Sequence, residues 1–446
     1  MPRTTLFLLH GLGLSGRSWD GVVAALGDEL DPVVIDLPGH GSAADSEAVT
    51  AEETAVFVAA RIVAAEPDRW LIAGHGIGGR IAAIVTSWAE RGEHGLTPAD
   101  GLALVAAVPP SPAPQDDRLR AAWAEGAISA ADAAAFVDRD IALALPEPAR
   151  TAAIEDVERA SRVAVLEWLE RGVLEDRSDE VGVLRTPAVV LVGSQDAGAA
   201  RELPAVPDAP VHEVDGAARL LPLEAPQEVA AHLAALAARV RDRPALPAAF
   251  ARLIASDRVS ARTRRVMLAR LTEPDPASRA LSAAQHELLT LVLARIVPQR
   301  GTDVDLASRI DAGLGAGLGD GWRFAELPPD LEAYRRGLDT IAALEPGFAS
   351  LDAAAQDEVL DRIADGALGS DEKGLLTADR MRLWFGDVQA DAVRTWLSHP
   401  AAQAWIRYDG FADGGDGPRK QGFTTTHAGE WEAWQRDWRT GEELQA

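Results

Sequence analysis

Gly11, Gly13 and Gly16 in "LLHGLGLSGRSW" are spaced G-x-G-x-x-G directly after an apolar run, and Asp36 follows in "VVIDLPGHG". That combination could bind a dinucleotide, with the pyrophosphate on a helix N-terminus and the acid on a ribose hydroxyl. Gly74, Gly76 and Gly79 in "WLIAGHGIGGRIA" repeat the spacing, but the next apolar run ends in "VAAVPP" with no carboxylate. His10, His40 and His75 stand in or beside these loops, where backbone hydrogen bonding is the expected role. Asp196 in "GSQDAG" and Arg219 in "ARLLPLEAP" complete the polar set. Ser15, Ser18 and Ser194 are the hydroxyls to weigh as nucleophiles, and none lies in a tight strand-to-helix turn.

Short β-rich runs carry these residues: "TTLFLLH", "PVVIDL", "RWLIAG", "GLALVAAV", "PAVVLVG" and "PVHEVDG". Near-continuous apolar strands separated by helical stretches predict a parallel sheet covered on both faces. Between about 111 and 180 the strands give way to Ala/Glu/Arg-rich helical pattern, which predicts an inserted cap. The domain expectation is 1–240 for this α/β part, 241–249 ("RDRPALPAA") for a linker, and 250–446 for a helical part.

In that second part Ser282 and Gln285 form a capping box ahead of "LLTLVLARIVP", and Pro298 stops the helix. Asp352 and Gly366 bracket another helix. A third runs from Thr377 to an X-Pro stop, with Met381, Trp384, Phe385, Val388 and Trp396 at helical spacing. From about residue 398 the chain reads as an irregular, aromatic and glycine-rich tail. The arginines Arg258, Arg262, Arg264 and Arg265 read as a solvated helix face.

The chain has 446 residues, no cysteine and a formal charge of −26. Thiolate metal sites, disulfides and cysteine nucleophiles are excluded; with no histidine cluster at ligand spacing, no metal site is expected. Such acidity argues against nucleic-acid or anionic-membrane partners. No apolar run is long enough to span a bilayer. The start "MPRTTLFLLHG" lacks a secretory h-region, so a cytoplasmic protein is expected.

The ordered motifs "HGLGLSGRSW", "VVIDLPGHG", "LIAGHGIGGRIA", "AVVLVGSQD", "PVHEVDG" and "ARLLPLEAPQEVAAHL" resemble the α/β-hydrolase fold over residues 4 to 240. The resemblance implies a nucleophile elbow G-x-S-x-G, an acid and a histidine. Here the elbow reads Gly74-His75-Gly76-Ile77-Gly78, Arg219 stands in the histidine's place, and only the acid position, Asp196, keeps its type. Arginine stays protonated and cannot serve as a general base. The backbone N–H groups of Leu12 and Ile77 fall at the oxyanion-hole positions. A degenerate triad of Gly76, Asp196 and Arg219 implies a pseudoenzyme domain, with an Asp196–Arg219 ion pair where the family has Asp–His.

From about residue 280, "LSAAQHELLTLVLARIVP", "YRRGLDTIAAL", "GFASLDAAAQDEVLDRIADG", "LWFGDVQADAVRTWLSHP" and "AWIRYDGFADGGDG" resemble the small (gamma) subunit of gluconate 2-dehydrogenase. That resemblance implies a non-catalytic partner of an FAD-dependent glucose–methanol–choline-type sugar oxidoreductase. The flavin would sit in the large subunit and no cofactor in this chain. Trp405, Tyr408, Phe411, Phe423, Trp431, Trp434 and Trp438 are then candidate anchors for that partner; folding back onto the chain's own helices is the alternative. Three readings stay open: an accessory subunit, an unusual α/β-hydrolase or lyase working without Ser and His, and a nicotinamide-binding Rossmann domain.

Overall fold

Side chains alternate across a strand, and in Thr4–Leu9 (β1) both sets are apolar. Phe7 and Leu9 pack into one core, Leu6 and Leu8 into another. A strand of that kind must be covered on both faces. In the computed structural model the described residues are 4–411, apart from 47, 114–116, 125, 127, 242–245, 257, 300–301 and 320–323. The expected anchors Phe423, Trp431, Trp434 and Trp438 lie outside them.

The sheet has six parallel strands in the order β2-β1-β3-β4-β5-β6. After β1 come Leu30–Ile35 (β2), Trp70–His75 (β3), Gly101–Val105 (β4), Ala188–Gly193 (β5) and Val211–Val214 (β6). Helices Ala51–Ala65 and Ile77–Arg91 close the core around Phe7, Ile72 and Leu104. Helix Pro226–Arg241 closes the other face around Leu6, Leu71 and Leu191. Strand order reverses between β1 and β3, and in open α/β sheets the crevice at such a switch point is where ligands bind.

The expected cap is present. Between β4 and β5 the chain forms helices Asp117–Ala124, Ala130–Arg139, Glu147–Arg159 and Arg162–Glu167, a π turn at Trp168–Gly172 and the short Ser178–Val181. They build a core of their own around Trp123, Val137 and Val157, which also receives Leu14, Leu220 and Leu223 from loops beside the sheet.

The boundary does not fall at the proline-rich 241–249. Residues as far as Leu268 belong to the first compact unit and Ala269–Gly410 form the second. Arg264, expected on a solvated face, is the reason. Its guanidinium donates to the carbonyls of Gly92 (2.9 Å), Ile254 (2.9 Å), Ser256 (2.7 Å) and Val259 (3.0 Å). Arg262 and Arg265 are exposed, as expected.

The second unit is helical: Ala283–Ile296, Leu306–Gly315, Asp330–Leu344, Ala353–Ala364, Ala378–Ser398 and Pro400–Trp405. The Ser282–Gln285 capping box and the Asp352 N-cap form as expected. Leu289, Val292, Leu338, Ile363, Trp384 and Val388 share its core. The tail expected from residue 398 begins later, because His399 caps and Pro400 opens the short helix Pro400–Trp405. Among the described residues no helix is long and apolar enough to cross a membrane.

Candidate functional site: a degenerate nucleophile elbow

Both glycine fingerprints have structural causes. A Cβ at Gly16 would lie 2.6 Å from Val34 Cγ1, and one at Gly74 would lie 2.2 Å from the Gly78 carbonyl oxygen. The glycines allow close packing of loop on strand and helix on strand. Asp36, the candidate ribose ligand, is occupied. Its Oδ1 accepts the Gly16 N–H and its Oδ2 the Ser42 N–H, each at 2.7 Å. Partial burial opposes its charge, but these N–H groups outweigh it and hold the carboxyl below its usual range. The Rossmann reading is therefore set aside: the acid ties its own turn together and the two copies share one hydrolase-type sheet.

Gly76 sits at the sharp turn between β3 and helix Ile77–Arg91 with φ 53° and ψ −117°. L-residues rarely adopt this region, and it is where strain is stored at functional turns. A Cβ built there meets only Gly11 Cα, at 3.5 Å. The place of a nucleophilic side chain is thus both shaped and open, and this chain puts no attacking atom in it. Among the described residues the N–H groups of Leu12 and Ile77 have no hydrogen-bond acceptor. Ile77 follows Gly76 directly, and Gly11, the neighbour of Leu12, lies against Gly76.

Asp196, on the loop after β5, is buried. It accepts the Gly198 N–H at Oδ1 (2.9 Å) and meets Arg219, with Nε 3.4 Å from Oδ2 and Nη2 3.4 Å from Oδ1. The expected ion pair is present, and it is loose. Arg219 is 46% exposed while Asp196 is 6% exposed, so water screens the pair and its contribution to stability is small. The Arg219 loop is fixed through its backbone instead. His75 Nε2–H donates to the Arg219 carbonyl at 2.9 Å, and the Arg219 N–H donates to the Asp140 carbonyl of the cap at 3.1 Å. Backbone bonding is the role the sequence predicts for His75; the partner, a backbone atom far along the chain, leaves no local signal.

All three loop histidines bond backbone. His10 accepts the Leu37 N–H at Nε2 (2.9 Å) and donates from Nδ1 to the Gly11 carbonyl (2.8 Å). His40 accepts the Gly13 N–H (3.2 Å) and donates to the Pro38 carbonyl (3.0 Å). Burial first, and then neighbouring His40, lowers His10 to a pKa of about 3, and burial lowers His75 to about 4. An unfolded imidazole titrates near 6.5. Below that value the unfolded chain takes up protons that the folded chain refuses, so stability falls as pH falls toward these lowered values. Each group removes up to ~1.4 kcal/mol per pH unit. The urea midpoint should drop between neutral pH and about pH 5; a flat midpoint would mean the imidazoles are not buried neutral.

Each of the three candidate serines has a hydrogen-bond partner of its own. Ser15 Oγ donates to Asp156 at 2.6 Å, Ser18 Oγ donates to the Ser15 carbonyl at 2.8 Å, and Ser194 Oγ accepts the Gly216 N–H at 2.9 Å. Among the described residues none of them bonds a histidine, and no group of His, Asp and Glu is assembled that could hold a metal ion. Of the expected partner anchors, Trp405 is 50% and Tyr408 41% exposed, whereas Phe411 is buried against Phe250 with ring centroids 6.2 Å apart.

Two parts of the chain match known families. Residues 6–232 match the Alpha/beta hydrolase family, and residues 283–414 match Gluconate 2-dehydrogenase subunit 3. Similar curated proteins include the pimeloyl-[acyl-carrier protein] methyl ester esterases of Nitrosomonas europaea and Sodalis glossinidius. The first is 32% identical over 77 residues, 17% of this chain and 29% of that protein. The second is 38% identical over 104 residues, 23% of this chain and 37% of that protein. The matched stretch thus spans about a third of the length of these relatives. Among solved structures, an esterase from Exiguobacterium antarcticum aligns with a TM-score of 0.47 at 15% identity, over 54% of this chain and 93% of that one. Bromoperoxidase from Bacillus anthracis aligns at 0.46 and 20% identity, over 52% of this chain and 91% of that one. The chain belongs to the alpha/beta hydrolase family, with a gluconate 2-dehydrogenase subunit 3 domain following in the same polypeptide.

Proposed function

We propose that this protein is an accessory subunit that binds and stabilises an FAD-dependent sugar or glycoside oxidoreductase of the glucose–methanol–choline type. The observation that carries the proposal is the subunit 3 domain joined to an elbow with neither nucleophile nor base. That domain supports membership of a multi-subunit dehydrogenase; the flavin and the oxidation chemistry belong, in this reading, to the large subunit. In this reading the complex is cytoplasmic, which fractionation of the host cell tests. Affinity purification of the tagged chain from its native host should bring down a flavoprotein with bound FAD. Recovery of free monomer alone would overturn the reading.

Trp405 and Tyr408 are the proposed contact residues in the described chain. Ile406 lies between them at 42% exposure, and Trp405 stands edge-on to Trp396 with centroids 5.9 Å apart. Exposed aromatics of this kind supply interface hot spots. Trp405→Ala should weaken partner binding by about 2 kcal/mol, roughly thirtyfold, with little change in the melting temperature of the free chain. Unchanged affinity in a pull-down titration would remove Trp405 from the interface.

A second reading is favoured by the buried Asp196 and the two N–H groups near Gly76: a hydrolase or lyase that uses other groups in the same crevice. A panel of activated esters separates the two. Turnover by the purified chain that Asp196→Asn abolishes would favour this second reading.

A further inference from the structure

Helix Ala378–Ser398 is apolar on two sides. Met381, Trp384, Phe385, Val388 and Ala392 belong to the core of the second unit. Val393 (45% exposed) and Leu397 (40% exposed) stand one turn apart on the outer side. Trp396 neighbours Val393 at i+3 spacing, and its edge-on contact with Trp405 carries the apolar surface onto helix Pro400–Trp405. A helix with a second apolar face needs a cover for it.

Charge sets this surface apart from the rest of the molecule. Residues 392–408 contain no Asp or Glu, although the chain has 69 of them and a formal charge of −26. The exposed charged side chains of that stretch are Arg394 and Arg407. The exposed Arg270 joins them, donating from Nη1 to the Ser398 carbonyl at 3.1 Å. Arg394 stays half exposed while it donates to the half-buried Asp391 at 2.7 Å.

We propose that this face docks an amphipathic segment of another polypeptide, one whose apolar stripe is flanked by carboxylates. The stripe covers Val393, Leu397 and Trp405, and the carboxylates meet Arg394, Arg270 and Arg407 at the rim. A second copy docked two-fold through the same face would instead set these arginines against one another. The proposal rests on the accessory-subunit reading only for the owner of the segment, which is then the oxidoreductase subunit.

Designed peptides test the surface without that owner. The full chain is titrated into a fluorescent helical peptide of about 18 residues with a leucine stripe and Glu flanks, and into one with the same stripe and Gln flanks. The chain's net negative charge repels the acidic peptide, so tighter binding of that peptide reports the local arginines. The Glu peptide should bind about tenfold tighter than the Gln peptide, and Val393→Asp should weaken it about tenfold. Arg394→Glu should remove the preference for Glu flanks. If Val393→Asp does not fold, Leu397→Asp gives the same comparison. Absence of binding, or equal binding of the two peptides, overturns the proposal even where a flavoprotein co-purifies with the chain. Preference for the Glu peptide in a chain that recovers no flavoprotein upholds the surface and overturns only its owner. A dimer in sedimentation that Val393→Asp dissolves overturns the proposal in favour of a second copy. Protection of Trp405 from hydroxyl-radical labelling in the free monomer overturns it in favour of the chain's own residues 412–446.

Discussion

The double variant Gly76→Ser/Arg219→His should hydrolyse p-nitrophenyl acetate about a thousandfold faster than the wild-type chain, which should not exceed the buffer rate. Removing a nucleophile and its base together costs about a millionfold in turnover, and orientation errors near 1 Å cost about a hundredfold. A graft into a well-shaped site should therefore recover only part of the loss. The site is well shaped at both positions. Gly76 already holds the elbow conformation, and an added Cβ meets only Gly11 Cα at 3.5 Å, an ordinary contact. The backbone at 219 is fixed by His75 and Asp140. Arg219 already reaches Asp196 with its Nε at 3.4 Å, so an imidazole there would have a carboxylate to orient it. Serine at a positive φ adds strain of about 1–3 kcal/mol, so the variant should melt earlier. Each single variant should stay near background, because a hydroxyl without a base and a base without a hydroxyl both leave the acyl-transfer step unassisted. Activity of the wild type at ordinary esterase rates, lost in Asp196→Asn, would overturn the non-catalytic reading.

How much of this was legible depends on where the information sits. The strands were readable because a parallel sheet buried on both faces needs unbroken apolar runs, and "TTLFLLH" and "RWLIAG" have few alternatives. The elbow was readable because its geometry demands small residues at fixed spacing, so a glycine where a hydroxyl belongs stands out. The same demand produced the misleading dinucleotide pattern: Gly16 is required by Val34 of β2, which no local spacing names, and Gly74 by the Gly78 carbonyl of the same elbow. What stayed hidden was long-range polar pairing. Arg264 stands in a run of arginines whose exposed members read correctly, yet it binds four carbonyls and draws the boundary to residue 268. His75 holds a carbonyl on the Arg219 loop for the same kind of reason. Carbonyl acceptors are present at every residue, so sequence gives no sign of which ones a buried cation will choose.

Arg80 is the most consequential of these hidden residues, and replacing it with methionine should destabilise the first unit by about 3–5 kcal/mol. It is fully buried on helix Ile77–Arg91, one turn beyond the elbow. Its guanidinium donates to the carbonyls of Pro109 (2.7 Å), Ser111 (2.6 Å), Glu175 (3.3 Å) and Gly172, and lies 5.4 Å from the centre of the Trp168 ring. The acceptors at 109–111 lie where the chain leaves β4 for the cap; those at 172–175 lie on its return toward β5. One side chain thus clasps both roots of the cap to the helix that carries the elbow. Burial lowers its pKa to about 10, which leaves it charged at neutral pH. Methionine fills much of the same volume but donates nothing, so the loss is that of buried acceptors left unpaired rather than of packing. At about 2–4 °C per kcal/mol for a unit of this size, the melting temperature should fall by roughly 10 °C. Arg80→Lys should fall between the two, since an ammonium keeps the charge but cannot fork to carbonyls on both segments. The cap should also open more readily, and limited proteolysis between 109 and 175 should report that independently of global melting. A methionine variant that melts with the wild type and resists proteolysis equally would show that the clasp contributes nothing to holding the cap.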